Sequence, residues 1–331
     1  MKIEFDNLYI GSSSIIASTE EKKGKLSNYI DKVYDSFAGE DTYFKAQVKM
    51  ARESIKNVLK KNNLKKEEID AVLGGDLTEC LAATSLSLKT SKIPFIGLYS
   101  ACASFNLAII IGGLLLNNNK KLKLIVTTSS HNKVSEKEFR NPTEYGAPKK
   151  LTSSYTVTGA VSTLLKGTKT PVRVVCATIG RIIDAKTDDN GNMGNAMAPA
   201  AVDTLIRHLK DTKKDIKDYD LILTGDLGSY ASKVFLDLLK EKYNINIKNK
   251  YKDCASMIYE GEKEDLYAGS SGPTTSSMVL LSTIYDLLKT KKLNRVLLLA
   301  TGALFSKISV DQKEGILGIC HAIELESVKW K

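Results

Sequence analysis

One cysteine of the sequence lies where a thiol can do chemistry. Cys102 opens an apolar helix that the pattern predicts over residues 103–116. The unpaired N–H groups and the dipole at a helix start favour an anion and lower the pKa of a thiol. Most free cysteines are instead small buried hydrophobic residues. Both interpretations stay open for Cys102, whereas the remaining cysteines are predicted to be core residues: Cys80, Cys176, Cys254 and Cys320.

A histidine follows one of the predicted strands. His131 comes directly after the strand predicted over residues 122–128. Ligands of parallel α/β sheets bind outside the carboxyl ends of the strands, so His131 is placed to reach a ligand. The alternative is a turn residue whose imidazole hydrogen-bonds to a nearby carbonyl. The sequence does not decide between them.

A proline-braced loop over residues 139–146 carries a guanidinium, a carboxylate and a phenol. Arg140 can clamp a ligand carboxylate through two parallel hydrogen bonds, and Tyr145 can offer a flat wall. The alternative is a surface loop in which Arg140 pairs with Glu144. Taken alone, the loop favours the surface interpretation.

A short glycine- and serine-rich stretch precedes a helix in the second half of the chain. Ser270 and Ser271 lie between two glycines and offer hydroxyls and flexible backbone N–H groups. Such a stretch can bind an anion at the helix start. It can equally let the chain turn tightly.

Several familiar site patterns are missing from the sequence. It contains no GxxxxGK[ST], GxGxxG or GxSxG motif, and its three histidines have no metal-ligand spacing. The five cysteines are far apart and form no CxxC pair, which argues against a disulfide framework or a zinc site. We therefore predict reduced thiols in an intracellular compartment, with no cofactor and no metal.

The elements that must position these residues occur twice along the chain. A helix, a charged turn and a buried strand ending in Gly-Asp-Leu occupy residues 44–77 and recur at 202–227, with Asp76 and Asp226 150 positions apart. Downstream, a helix, a double-lysine turn and a strand also recur in the same order. Strands alternating with helices indicate parallel sheets covered by helices. The ordered series predicts an internal duplication.

The duplication predicts two halves, residues 1–168 and 169–331. The helix at 103–116 is apolar on nearly every side, so it should be buried between them. The longest apolar run, residues 107–116, is about half the length that a bilayer crossing requires. The sequence thus predicts an α/β protein of two βαβ-type halves around a buried central helix, with no transmembrane segment.

The net charge of +10 comes from lysine-rich helices and turns, such as those at residues 60–61, 65–66 and 291–292. Nucleic acid is one class of partner for a basic protein. The lysines are dispersed and no aromatic residues lie among them, which favours a solvated surface. We expect no nucleic-acid partner.

The duplicated halves and the cysteine at the central helix resemble the thiolase and ketoacyl synthase superfamily. Six stretches along the chain are more specific, and they resemble the stage V sporulation protein AD family of spore-forming bacteria: residues 74–77, 129–132, 139–146, 193–201, 220–227 and 300–304. The resemblance extends from the helix near residue 50 to His321. It implies a five-layered thiolase-like fold, α-β-α-β-α.

The family resemblance also implies a ligand, partners and a location. It implies binding of dipicolinic acid (pyridine-2,6-dicarboxylate), either free or as its calcium chelate, in a pocket that includes Cys102, His131 and Arg140. It implies membrane proteins of the stage V sporulation A group as partners, and a homodimer as a further possibility. The expected location is peripheral, on the forespore or spore inner membrane, where the protein supports uptake of the acid and its release at germination.

The same resemblance exposes a departure from the condensing enzymes. Those enzymes use a histidine and an asparagine, or two histidines, beside the nucleophilic cysteine. The matching positions here fall near 225–226 and 270–271, and neither holds histidine or asparagine. We therefore expect binding without catalysis. The alternatives are a condensing enzyme or acyltransferase that uses Cys102 with His131 or His321 as base, and a scaffold with an empty pocket.

Overall fold

The computed structural model describes residues 1–139, 149–260 and 266–329, and a core series of helices and strands recurs in the same order in both halves. The first half contains strands Lys2–Glu4 (β1), Tyr9–Ser18 (β2), Lys32–Tyr34 (β3), Ala71–Gly75 (β4), Phe95–Gly97 (β5), Leu124–Ser130 (β6), Tyr155–Thr156 (β7) and Gly159–Lys166 (β8). Its helices are Thr19–Lys22 (α1), Tyr43–Lys61 (α2), Ala82–Leu88 (α3), Ser104–Asn118 (α4) and Asn132–Phe139 (α5).

The second half contains strands Val172–Thr178 (β9), Ile183–Asp184 (β10), Leu221–Thr224 (β11), Tyr251–Asp253 (β12), Ser270–Ser271 (β13), Arg295–Leu304 (β14) and Leu317–Ser327 (β15). Its helices are Met193–Thr212 (α6), Gly228–Tyr243 (α7), Pro273–Val279 (α8), Tyr285–Lys289 (α9) and Lys307–Asp311 (α10). A π-helical segment, Leu280–Ile284, joins α8 to α9. The predicted boundary between residues 168 and 169 falls in the connection between β8 and β9.

The order of the strands confirms the duplication. In the first half β4 lies between β5 and β6 and is parallel to both, and β6 is antiparallel to β8. In the second half β11 lies between β12 and β14, parallel to both, and β14 is antiparallel to β15. The two sets meet where β2 pairs with β9. The strands at 71–75 and 221–224 therefore occupy equivalent places.

Alternation along the strands produces five layers. Successive side chains of a strand point to opposite faces, and in β4 Leu73 packs in the central core while Val72 packs under α2 and α3. In β11 Leu223 likewise faces the central core, and Ile222 faces α6 and α7. The layers are thus an outer helix pair, the first-half part of one continuous 13-stranded sheet, the central helices, the second-half part of that sheet and a second outer helix pair. The thiolase-like architecture is confirmed.

The central layer consists of α4 and the α8–α9 helix. Phe105, Ile109 and Ile110 of α4 are completely buried, as the prediction of a central helix requires. Among the described residues, the stretch Ala101–Asn118 is the one helix long and apolar enough to cross a bilayer, and 67% of it is buried within the protein. Its apolar character is therefore accounted for by the core of the fold.

One prediction about the core was wrong. Cys80 is exposed, because it lies in a turn after β4 where both Cys80 and Leu81 have a left-handed backbone, with φ of 57° and 52°. The turn directs the thiol outward instead of into a layer. Cys176, Cys254 and Cys320 are buried, as predicted.

Candidate functional site

A cavity of about 40 Å³ lies where the two central helices begin. Its apolar lining comes from Leu77, Tyr99, Ala101, Phe139, Met193, Met197, Ala303 and Phe305. Its remaining lining comes from Cys102, Ser135, Thr156, Asp226, Ser271 and Gly272. The mostly apolar lining with a few polar groups is typical of a small-molecule site, whereas the volume is below the about 300–1,000 Å³ that is usual for one.

Cys102 is held at this cavity by a tight turn before α4. The backbone N–H of Ser100 donates to Ser104 Oγ at 2.9 Å, and that hydroxyl donates to the carbonyl of Ala101 at 2.7 Å. Ala101 has a φ of 46°, a left-handed conformation that is strained for a residue with a side chain. The half-buried thiol is therefore fixed in place by the fold.

The thiol of Cys102 meets a buried carboxyl group, Asp226. Asp226 Oδ2 accepts a hydrogen bond from the N–H of Gly272 at 2.9 Å, and Oδ1 accepts one from the hydroxyl of Thr301 at 3.0 Å. Burial raises the pKa of Asp226 to about 7, although the hydrogen bonds from Cys102 and Gly272 oppose that rise. Near neutral pH the cavity therefore holds a carboxyl group that is partly protonated.

The end of β11 places Asp226 at the cavity. A Cβ at Gly225 would lie 2.9 Å from the N atom of Thr301, so only glycine lets the chain pass β14 this closely. Beyond Asp226, the carboxylate of Asp253 accepts hydrogen bonds from the N–H groups of Leu227 and Gly228, both at 3.1 Å. Asp226 was not predicted as a site residue, because only histidine and asparagine were expected at this position of a condensing enzyme. The repeated Gly-Asp-Leu triplet was the signal available.

The predicted serines lie side by side in β13, which pairs with β7, but only one lines the cavity. Ser271 contributes to the cavity wall, and its hydroxyl lies 3.4 Å from that of Thr156. The Ser270 hydroxyl donates to the carbonyl of Ala255 at 3.1 Å and is fully buried. Ser270 therefore holds the strand in place next to the cavity.

His131 lies at the end of β6, as predicted, but its ring is turned away from the cavity. Nδ1 accepts a hydrogen bond from the N–H of Lys133 at 3.2 Å, which leaves Nε2 as the donor to the carbonyl of Ser36 at 2.8 Å. Burial lowers the pKa of His131. This is the alternative role that the sequence left open, and His131 is not among the described residues that line the cavity.

The other two histidines are also engaged by protein groups. His321 Nδ1 accepts from the N–H of Gly180 at 3.1 Å, and Nε2 lies 2.9 Å from Ser100 Oγ. Burial lowers the pKa of His321 to about 4. His208 Nδ1 and Nε2 lie 2.9 and 3.1 Å from the hydroxyls of Thr178 and Tyr219. Neither ring lines the described part of the cavity.

Two predicted site residues, Arg140 and Tyr145, lie outside the described residues. The described chain before them ends at Phe139, which lines the cavity and packs edge-on against Phe305 with ring centroids 5.4 Å apart. Arg140 is therefore next in sequence to a cavity residue.

One buried cluster has the residue types of a metal site. The ligand atoms of Cys176, His208 and Glu324 all lie within 4.8 Å of one another. Glu324 already pairs with Lys214 and with Arg295, and it accepts a hydrogen bond from Tyr219 at 3.0 Å. Two cations on the same carboxylate disfavour a further cation there. We interpret the cluster as an ion-pair network that ties β15 to α6.

Comparison with known proteins gives the family. The family model described as stage V sporulation protein AD matches residues 2–326. Stage V sporulation protein AD of Bacillus subtilis (strain 168) is 36% identical over 320 residues, which cover 96% of this chain and 94% of that protein.

Solved structures share the fold at much lower identity. The 3-oxoacyl-[acyl-carrier-protein] synthase III of Aquifex aeolicus is 15% identical, with a TM-score of 0.54 over 96% of this chain and 99% of that one. OleA of Xanthomonas campestris bound with cerulenin is 14% identical, with a TM-score of 0.60 over 98% of each chain. These similarities concern the fold alone.

Proposed function

The chain belongs to the stage V sporulation protein AD family, and we propose that its cavity binds dipicolinic acid without transforming it. The observation that carries the proposal is that the thiol of Cys102 is hydrogen-bonded to the carboxyl group of Asp226. A histidine beside a cysteine accepts its proton and stabilises the thiolate, whereas a negative carboxylate disfavours that charge. The described cavity holds the thiol without the partner that an acyl-transfer nucleophile uses.

The walls of the cavity suit a small aromatic ring. Phe139, Phe305 and the two methionines Met193 and Met197 provide apolar surface for a planar ligand. Ser135, Thr156 and Ser271 offer hydroxyls at the lining, and hydroxyls can donate hydrogen bonds to a carboxylate. A pyridine ring with two carboxylates matches this mixture of surfaces.

The positive charge that a diacid needs is proposed to come from Arg140. Asp226 is the one charged residue among the described residues of the lining, so these residues alone do not neutralise a dianion. Arg140 directly follows the cavity residue Phe139, and a guanidinium can bind a carboxylate through two hydrogen bonds. A calcium ion brought in with the acid is the alternative source of charge, because carboxylates such as Asp226 are calcium ligands.

Binding of this acid would give the protein its role in the spore. We propose that it receives dipicolinic acid during uptake into the forespore and releases it at germination, at the inner membrane and together with membrane proteins of the stage V sporulation A group. The family membership supports this role.

One observation favours a second candidate, an acyltransferase. A carboxyl group with a pKa of about 7 is well matched to general-base work near neutral pH, and Asp226 is hydrogen-bonded to Cys102. In that reaction Asp226 would take the thiol proton, and the Cys102 sulfur would attack a thioester carbonyl and release coenzyme A.

Parallel titrations with dipicolinate and with acetyl- and malonyl-coenzyme A separate the two functions. We expect saturable heat on adding dipicolinate, no release of free coenzyme A, and no acyl adduct by intact mass. The matched controls are Cys102→Ser and Cys80→Ser, since the exposed Cys80 can be acylated non-specifically. Coenzyme A release that Cys102→Ser abolishes and Cys80→Ser preserves would establish the enzyme and end the binding proposal.

A further inference from the structure

The lysines that look dispersed in the sequence are collected on one face of the fold. They lie in turns at residues 60–70, 119–123, 166–171, 210–220 and 289–295, most of which lead from a helix into a strand. We define the lysine face by the exposed lysines of these turns: Lys60, Lys61, Lys65, Lys66, Lys120, Lys121, Lys169, Lys210, Lys213, Lys217, Lys289, Lys291 and Lys292.

Topology places this face at the end of the molecule away from the cavity. The central helices α4 and α8 both begin at the cavity, and the parallel strands β4, β6, β11 and β14 have their carboxyl ends on that side. The turns before these strands therefore lie at the opposite ends of the sheets. Because the two halves repeat the same order, both contribute their lysine turns to the same face.

A chain of contacts makes the face continuous. In the first half Asp70 accepts from the N–H of Lys123 at 2.7 Å, and a Cβ on Gly167 would lie 2.2 Å from the carbonyl of Lys120. In the second half Asp220 accepts from the N–H of Arg295 at 3.0 Å.

The two halves are joined through the end of β15. The N–H of Val328 donates to the carbonyl of Pro171, and the N–H of Ser327 donates to that of Asn294, both at 2.9 Å. The five turns thus form one surface.

The basic residues of this face outnumber its carboxylates, because the five turns carry sixteen lysines and one arginine against seven aspartates and glutamates. Among the described residues Lys61 pairs with Asp31 and Lys66 with Glu67, whereas Lys60, Lys120 and Lys121 form no ion pair with a described residue. Four lysines line a single groove of about 470 Å³ within the face: Lys120, Lys121, Lys123 and Lys166.

We propose that the lysine face docks on a membrane rich in anionic lipids and holds the cavity away from the bilayer. Lysines near such a surface each add to the attraction, and many of them spread over one face fit an extended sheet of headgroups. A nucleic acid would favour arginine forks and exposed aromatic rings. The five turns contain one aromatic residue, Tyr219, which is fully buried, and a single arginine, Arg295, which pairs with Glu326.

Sedimentation with vesicles tests the docking. The full chain should bind vesicles of phosphatidylglycerol and phosphatidylcholine and dissociate from them as the salt concentration is raised. It should not bind vesicles of pure phosphatidylcholine. The triple variant K120Q/K121Q/K166Q should lose at least about twentyfold in affinity. The matched control K133Q/K137Q/K307Q removes three lysines near the cavity side and should change binding less than about threefold.

Three outcomes would overturn the docking, and a fourth would overturn the orientation. One is no binding to anionic vesicles at low salt, and another is an equal loss in both triple variants, which would make the attraction a matter of net charge alone. The third is stronger binding of a short DNA duplex that the same lysine variant abolishes. Vesicle-bound protein should keep its affinity for dipicolinate within about twofold. Loss of that affinity on the vesicles would mean that the cavity faces the bilayer, opposite to the proposed orientation. Because dipicolinate binding is also measured without vesicles, failure of docking and failure of the proposed function give different results.

Discussion

The two Gly-Asp-Leu segments share a fold position but differ in what their carboxyl groups contact. In the first half Asp76 Oδ1 accepts from the N–H of Thr78 at 2.8 Å, and Oδ2 accepts from the N–H and hydroxyl of Thr84 at 2.8 and 2.6 Å. In the second half Asp226 contacts Gly272, Thr301 and Cys102, all from other segments of the chain. The Asp76 side chain hydrogen-bonds to the segment that directly follows it, whereas the Asp226 side chain lines the cavity.

This difference shows that only one of two equivalent positions in a duplicated fold, that of Asp226, contributes to the cavity. The donors to Asp76 all lie within eight residues of it in sequence, so both of its carboxyl oxygens are hydrogen-bonded locally. Asp226 has fewer donors and stays buried, and burial raises its pKa to about 7. A carboxyl group kept near its titration point at a cavity is typical of a functional position, whereas a fully satisfied one is typical of structure.

The largest expected effect is on stability, and it should separate the two aspartates. Asp76→Asn puts an NH₂ group against a backbone N–H and should lower the free energy of unfolding by about 3 kcal/mol. Asp226→Asn keeps an acceptor for Gly272 and removes a carboxyl that burial already disfavours, so it should cost less than about 1 kcal/mol. Urea unfolding of both variants measures this. Equal losses would mean that both carboxyl groups are structural.

The next effect concerns the positive charge at the cavity. Removing a charged hydrogen bond to a largely desolvated carboxylate costs on the order of 2 kcal/mol, about thirtyfold in affinity. Arg140→Ala should therefore weaken dipicolinate binding by at least about tenfold and leave the melting temperature nearly unchanged. The control is Arg181→Ala, which removes an exposed arginine paired with Asp203. Equal affinities in the two variants would remove Arg140 from the site.

The smallest effect is a dependence on pH that sharpens the role of Asp226. Its protonated form predominates below its pKa of about 7 and can donate to a carboxylate, whereas the ionised form above that pH repels one. Affinity for free dipicolinate should therefore fall about tenfold from pH 6 to pH 8. If the calcium chelate is the ligand, affinity should rise over the same range, because the ionised carboxylate binds calcium. Asp226→Asn should flatten either profile, measured by calorimetry.

The fold was largely readable from the sequence because it rests on local patterns. The repeated order of helix, turn and strand predicted the equivalent places of β4 and β11, and the apolar character of residues 103–116 predicted the central layer. The position of Cys102 at a helix start left a pocket role open, and Cys102 lines the cavity. Each of these follows from short-range periodicity or from helix ends.

The parts of the site that could not be read depend on distant partners. His131 was placed correctly at a strand end, but its ring direction is set by the carbonyl of Ser36, 95 positions away. Asp226 becomes a cavity residue only because Cys102 and Gly272 are brought to it from other segments. Cys80 is exposed because of a left-handed turn at Cys80 and Leu81, which contains neither glycine nor asparagine to indicate such a turn in the sequence.

The central claim is that the acid binds in the cavity beside Cys102. Titrating dipicolinate into the wild type, Cys102→Ala and Cys102→Trp measures this directly, because the bulky indole should fill the cavity while alanine leaves it open. The account predicts saturable binding by the wild type, a modest loss in Cys102→Ala, and no binding by a folded Cys102→Trp. Undiminished binding by Cys102→Trp would place the ligand elsewhere and contradict the account.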